Sequence, residues 1–185
     1  MAKIGLSNFR YSKLTEQGGK AVYDGAKTPA KAVSCKVSVT NNDATLYADD
    51  GLAESDYSFN SATVTIEIDE DDPQTMADLL GHKVISGSEI VRNSGDTAPY
   101  VGLGRVITKM VNGVYKYKVE FLCKVKFSEP SQEDKTKGDK VDFTTTELEG
   151  VASSLESGEW SRAKTFDTKK EAITYLEGLM AKTGV

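Results

Sequence analysis

The sequence predicts a mainly β domain of α+β type, with one short helix and one C-terminal helix. Three observations carry that prediction. From Tyr115 to Phe127 every second residue is apolar against a mostly charged face, an Asn112-Gly113 pair stands just ahead of that run, and helical apolar spacing is confined to two capped segments near 72–81 and 168–182. With 185 residues, 38% hydrophobic and 28% charged, the chain suits one domain spanning 1–185 with a sizeable buried core.

Residues 1–31 are rich in Gly, Lys and Thr and read as one short strand plus an arm. Over 32–39, Val33, Cys35, Val37 and Val39 alternate with Ser34, Lys36 and Ser38, which is the pattern of a half-buried strand. A second such strand falls at 63–69, where Val64, Ile66 and Ile68 alternate with Thr63, Thr65 and Glu67. Asp72 suits a helix N-cap, Pro73 the first helical position, and Gly81 a left-handed stop. Met76, Leu79 and Leu80 give that helix one face to bury.

Asn-Gly is the preferred pair for a two-residue type I′ turn, so 100–127 reads as a long β-hairpin. A tight turn sets Val111 opposite Val114 and Arg105 opposite Glu120. Propagated outward, the same register sets Gly104 opposite Phe121 and Gly102 opposite Cys123, bare backbone beneath bulky side chains. Further strands are expected at 140–148 (Val141, Phe143, Thr145) and 158–166 (Trp160 to Phe166). Thr168 and Glu171 form a capping box for the last helix, whose apolar stripe is Ile173, Leu176, Leu179 and Met180.

Two segments have opposite charge. The 23-residue connection 40–62 holds Asp43, Asp49, Asp50, Glu54 and Asp56 and no Lys or Arg. It also holds Leu46, Tyr47, Leu52, Tyr57 and Phe59, more apolar bulk than a solvated loop needs. Either some of these pack on their own domain, or the loop is a contact element. The hairpin carries Arg105, Lys109, Lys116, Lys118, Lys124 and Lys126 against Glu120, and the assumed register puts all six cations on one face. That face is either plainly solvated or a docking surface.

Catalytic chemistry is hard to find. His82 is the single histidine and sits just past a helix stop, without sequence partners for general-base work. No Ser or Cys stands in a nucleophile elbow, and Gly102-Leu103-Gly104 lies within a strand rather than opening a helix. The acidic run Glu67, Asp69, Glu70, Asp71 and Asp72 breaks the spacing of a calcium loop at Pro73. No catalytic, cofactor or metal residues are therefore expected. Cys35 and Cys123 read as free buried thiols, with a disulfide or redox pair as the alternative. The net charge of −5 argues against a dedicated nucleic-acid binder. No run approaches the ~20 apolar residues of a membrane span. The start Met1-Ala2-Lys3-Ile4-Gly5 lacks a signal-peptide core, so synthesis in a cytoplasm is expected.

Several stretches, taken in order, resemble the major tail (tail tube) proteins of long-tailed, non-contractile bacteriophages. They are Met1-Ala2-Lys3-Ile4-Gly5 with Phe9-Arg10-Tyr11, ATLYADDGLAES at 44–55, LLGH at 79–82 and DTAPYVGLG at 96–104. KMVNGVYKYK at 109–118, VKFSEPS at 125–131, TKG at 136–138 and FDT at 166–168 complete the series. The resemblance implies a β-sandwich or barrel-like domain that assembles into hexameric rings stacked as a tube. It implies a place in the virion, synthesis in a bacterial host, and passage of DNA through the lumen without specific binding. The implied partners are further copies of the chain and other tail proteins: tape measure, tail terminator and distal tail. No cofactor and no enzymatic activity are implied. In that setting Leu46, Tyr47, Asp49, Asp50, Leu52, Tyr57 and Phe59 become candidate subunit contacts. A basic lumen would retain phosphates, so the hairpin cations are expected to face elsewhere. The competing reading is a monomeric carbohydrate- or protein-binding β domain, adhesin-like, from a phage tail.

Overall fold

A computed structural model of the chain describes residues 2–29, 31–48, 51–69, 72–131 and 145–181. The strands are β1 (Ala2–Gln17), β2 (Lys20–Tyr23), β3 (Ala32–Ala48), β4 (Gly51–Ile68), β5 (Lys83–Val84), β6 (Ile90–Val91), β7 (Val101–Val111), β8 (Val114–Phe127), β9 (Thr146–Ser153) and β10 (Ser161–Phe166). The helices are α1 (Pro73–Leu80) and α2 (Lys169–Leu179). Eight strands form one antiparallel sheet in the order β2-β1-β7-β8-β9-β4-β3, with β10 on β8. Along one edge β8 pairs first with β10, over Tyr117–Leu122, and then with β9, over Lys124–Phe127. β5 and β6 form a separate two-stranded ribbon.

The mainly β, two-helix expectation holds, and both helices start at the predicted caps. The Asp72 carboxylate accepts from the Thr75 amide at 2.9 Å, and the Thr168 hydroxyl accepts from the Glu171 amide at 3.3 Å. Gly81 closes α1 at φ 82°. Two expectations fail. The N-terminal segment is a 16-residue strand, β1, rather than a short strand and an arm. Its alternation is broken where Asn8 takes φ 50° and the register with β7 shifts between Ser7 and Arg10. The connection 40–62 is not a loop either. Its residues continue β3 and β4 as one hairpin, in which Asn41 pairs with Phe59, Asp43 with Tyr57 and Ala48 with Gly51. Of the strand expected at 140–148, β9 covers 146–148, and Val141 and Phe143 lie outside the described residues.

The β7–β8 hairpin turns at Asn112 (φ 50°) and Gly113 (φ 80°), the two positive angles that a type I′ turn demands. Val111 faces Val114, Arg105 faces Glu120 and Gly104 faces Phe121, as the sequence predicts. Farther along, the register slips. Leu103 pairs with Leu122 but Val101 pairs with Val125, so β8 carries one extra residue, a β-bulge. Alternation therefore changes phase within β8. Phe121 and Cys123 pack beneath α2, whereas Leu122, Val125 and Phe127 pack in the other core. Gly102 consequently lies under the rings of Tyr23 and Phe121 rather than under Cys123.

The core on that other side joins Phe9 and Tyr11 of β1, Val64, Ile66 and Ile68 of β4, and Leu148 of β9, with Met76 and Leu79 of α1 packed among them. One cluster touching strands from both ends of the sheet requires the sheet to curl around it. Leu176 and Met180 are fully buried on the opposite face. Such side chains contribute about 1.5–3 kcal/mol each. Both cysteines are free, Cys123 buried and Cys35 half-buried, and burial pushes the Cys123 thiol up to about 11.

Candidate contact surfaces on the two long hairpins

β4 pairs with β9 only over Ala62–Ile68. Beyond that, among the described residues, 41–48 of β3 and 51–59 of β4 pair only with each other, as a two-stranded ribbon. Eight residues of strand extend roughly 26 Å. Isolated two-stranded ribbons are marginally stable in water, so a ribbon of this length gains from a surface to lie against. Leu46, Tyr47, Leu52 and Tyr57 lie on its two arms, where Leu46 pairs with Glu54 and Tyr47 with Leu52. The side chains of 43–48 and 51–57, and Asp49 and Asp50 altogether, lie outside the described residues. Phe59 is half-buried and stacks on Trp160 with centroids 4.3 Å apart and planes 8° from parallel. That ring packs on its own domain, so Phe59 is not a free contact residue.

The bulge separates the six hairpin cations into two groups. Arg105, Lys109, Lys116 and Lys118 precede it in the register, on the side of the curled core. Lys124 and Lys126 follow it, where they flank the Tyr100 ring at 4.6 and 5.4 Å. The expected single basic face does not exist.

Much of the charge is also neutralised within the chain. Arg105 has a nearly buried side chain that donates to Glu120 Oε2 at 2.6 Å and to Cys35 Sγ at 3.2 Å. Lys118 pairs with the same Glu120, Lys116 with Asp167 and Lys124 with Glu16. Burial would raise the Glu120 carboxyl, but Lys118 and Arg105 outweigh it and hold it below the usual range. Lys109 has no carboxylate partner among the described residues. Lys3 of β1 pairs with Lys109 of β7, and Lys109 with Lys116 of β8, which lines up three lysines across three strands. Like charges directly opposite one another are unfavourable in a sheet.

Beside this row lies a groove of about 570 Å³. Its walls are β3 at Cys35–Val37 and the stretch Trp160–Ala163 entering β10, and its floor is Arg105, Lys118 and Glu120. Among the described residues, β3 and β10 each pair on one side only, so both are free edges. Sequence reasoning missed the groove because its parts come from five strands, and only their pairing brings them together.

His82 is not without partners. Its side chain is 5% exposed, with Nδ1 3.0 Å from Asp96 Oδ2 and Nε2 3.0 Å from Glu129 Oε2. Arg92 Nε approaches the same Glu129 at 3.2 Å. Ionised carboxylates only accept, so both contacts are hydrogen bonds when the ring carries both protons. With both nitrogens engaged, the ring acts as a clamp that ties the segment 81–98 to the end of β8. His82→Ala should leave the sheet intact, lower the melting temperature by a few degrees and speed amide exchange over 82–96. An unchanged exchange map would show that the clamp holds nothing.

Among the described residues no group of three or more His, Cys, Asp or Glu side chains is placed to hold a metal ion. No described helix is long and apolar enough to cross a membrane. No protein-family model matches the chain, and no curated protein matches it.

Proposed function

We propose that the chain is a tail tube protein of a long-tailed bacteriophage, a structural virion component that assembles into stacked hexameric rings and conducts DNA. The β3–β4 ribbon is the observation that carries this reading. It is long, acidic and apolar by sequence, and it is unsupported by any third strand among the described residues beyond Phe59. A curled antiparallel sheet with a helix on its outer face suits a barrel-like tube domain, since it is a rigid body from which the ribbon reaches a neighbouring copy. The partners of the assembled form would be more copies of the chain and the proteins that measure, cap and terminate a tail. DNA would pass through the lumen without specific contacts.

Replacing residues 44–58 with a short Gly/Ser link tests this. Among the described residues the replaced arms pair only with each other, so the variant should fold and melt close to the wild type. It should remain monomeric while the concentrated wild type forms rings or tubes visible by negative-stain microscopy. Normal tubes from the shortened protein would remove the ribbon from the assembly contact. A wild type that never assembles would defeat the functional reading itself.

A further inference from the structure

We propose that the lysine row Lys3–Lys109–Lys116 and the groove beside it receive the tip of the acidic β3–β4 ribbon from a second copy of this chain. The inference rests on the tube reading above and names the receptor that reading lacks.

Charge complementarity singles out this occupant. Across β1, β7 and β8 the row sets three lysines side by side, with Asp167 paired to Lys116. Lys118 and Arg105 continue the positive potential into the groove, where Glu120 already has two cationic partners. An arriving carboxylate would relieve the cross-strand repulsion of the row. The ribbon offers five carboxylates and no cation between residues 40 and 62, interleaved with Leu46, Tyr47 and Leu52. The groove is likewise mixed, with Trp160 and Val37 beside the cationic floor, so apolar and acidic groups of one strand both find a counterpart. The edges of β3 and β10 along its walls, unpaired among the described residues, add main-chain donors and acceptors for an extended segment. A ribbon and a receptor at different places on one chain make a heterologous contact, which propagates from copy to copy rather than closing as a dimer.

Charge exchange tests the pairing. Lys3→Glu with Lys109→Glu reverses the row, and Asp49→Lys with Asp50→Lys reverses the tip. Neither Lys3 nor Lys109 has a carboxylate contact of ion-pair length among the described residues, so the row variant should fold. Lys3→Gln with Lys109→Gln serves as a milder version. Sedimentation velocity at low salt should show each reversed protein needing a roughly tenfold higher concentration to assemble. The protein carrying all four reversals should assemble nearly as the wild type does. The docking proposal is wrong if the row variants assemble like the wild type, or if the fourfold variant shows no recovery while the wild type still forms tubes. It is also wrong if the row variants lose binding to duplex DNA without any change in self-association, because the row would then be a phosphate-contacting surface. A wild type that stays monomeric throughout overturns both this proposal and the tube reading.

Discussion

Gly104→Val should lower stability by about 1–3 kcal/mol and the melting temperature by several degrees. A side chain at Gly104 points from β7 into the core beneath α2. Its Cβ would overlap Leu176 Cδ1, and would lie 3.1 Å from Met180 Cε and 3.3 Å from Phe121 Cδ2. Leu176 and Met180 are fully buried, so neither has open space to turn into. A β-branched side chain adds two more methyl groups to the same crowd, and the helix must lift to admit them. Gly104→Ala should cost less, since one leucine methyl can yield more easily than a packed helix. Gly178→Ala is the matched control: nothing lies within 4 Å of the added atom, and alanine favours a helix, so the melting temperature should hold or rise slightly. Thermal melts of the three proteins decide the point. A Gly104→Val protein as stable as the wild type would mean that α2 does not sit on β7.

Asp78→Ala should cost about 2–3 kcal/mol, because it strands four groups at once. The Asp78 carboxylate, nearly buried on α1, accepts from Lys13 at 2.8 Å, Lys27 at 2.6 Å, the Tyr11 hydroxyl at 3.1 Å and the Gln74 side-chain amide at 3.2 Å. It thereby joins the helix, β1 and the segment after β2, where Tyr11 and Lys27 also exchange backbone hydrogen bonds. Both lysines keep partial access to water, which is why the figure lies below that of a sealed ion pair.

Burial alone would raise the Asp78 carboxyl, but the hydrogen bonds from Lys13 and Lys27 outweigh it and hold it below the usual carboxylate range. A depressed native value places the stabilisation above the unfolded value of about 3.9 and removes it as the pH falls through the native one. Denaturant unfolding from neutral pH downward should show the wild type losing stability below about pH 4 more steeply than Asp78→Asn. Parallel acid profiles for the two would exclude this carboxylate as a cause.

What was legible in the sequence was what is written locally. The β7–β8 hairpin follows from Asn112-Gly113 and the alternation from Tyr115 to Phe127, and the helices follow from Asp72, Thr168 and their apolar faces. The bulge in β8 leaves no mark, because Leu122, Cys123 and Val125 are all apolar and fit either phase. The arms of β3 and β4 were missed because residues 41–48 and 51–59 satisfy their backbone by pairing with each other, which no apolar alternation announces. Asn41, Asn42 and Asp43 also break the alternation. The partners of His82 lie 14 and 47 residues away, beyond any local pattern. Of the contact residues, the sequence exposed the charge contrast but misjudged its geometry. Phe59 was spoken for by Trp160, and two of the six cations, Lys124 and Lys126, were turned aside by one inserted residue.

The order of strands in the sheet has a consequence for synthesis. β1 is the first strand made, yet its long-range partner β7 lies about a hundred residues downstream, with Tyr11 against Leu103. β4 likewise waits for β9, and α2 comes last of all. A growing chain therefore leaves the ribosome with the self-pairing β3–β4 hairpin already able to form, but with no central strands to hold β1 or close the core. Pairings this distant are slow to find, and bare edges are prone to join the wrong partner meanwhile. The segment made early is the one proposed to bind other copies, while the lysine row that would receive it takes shape only after β7 and β8 have emerged and β1 has docked. If that docking is right, donor precedes acceptor within each molecule, and an unfinished chain has no row to offer the ribbon of another.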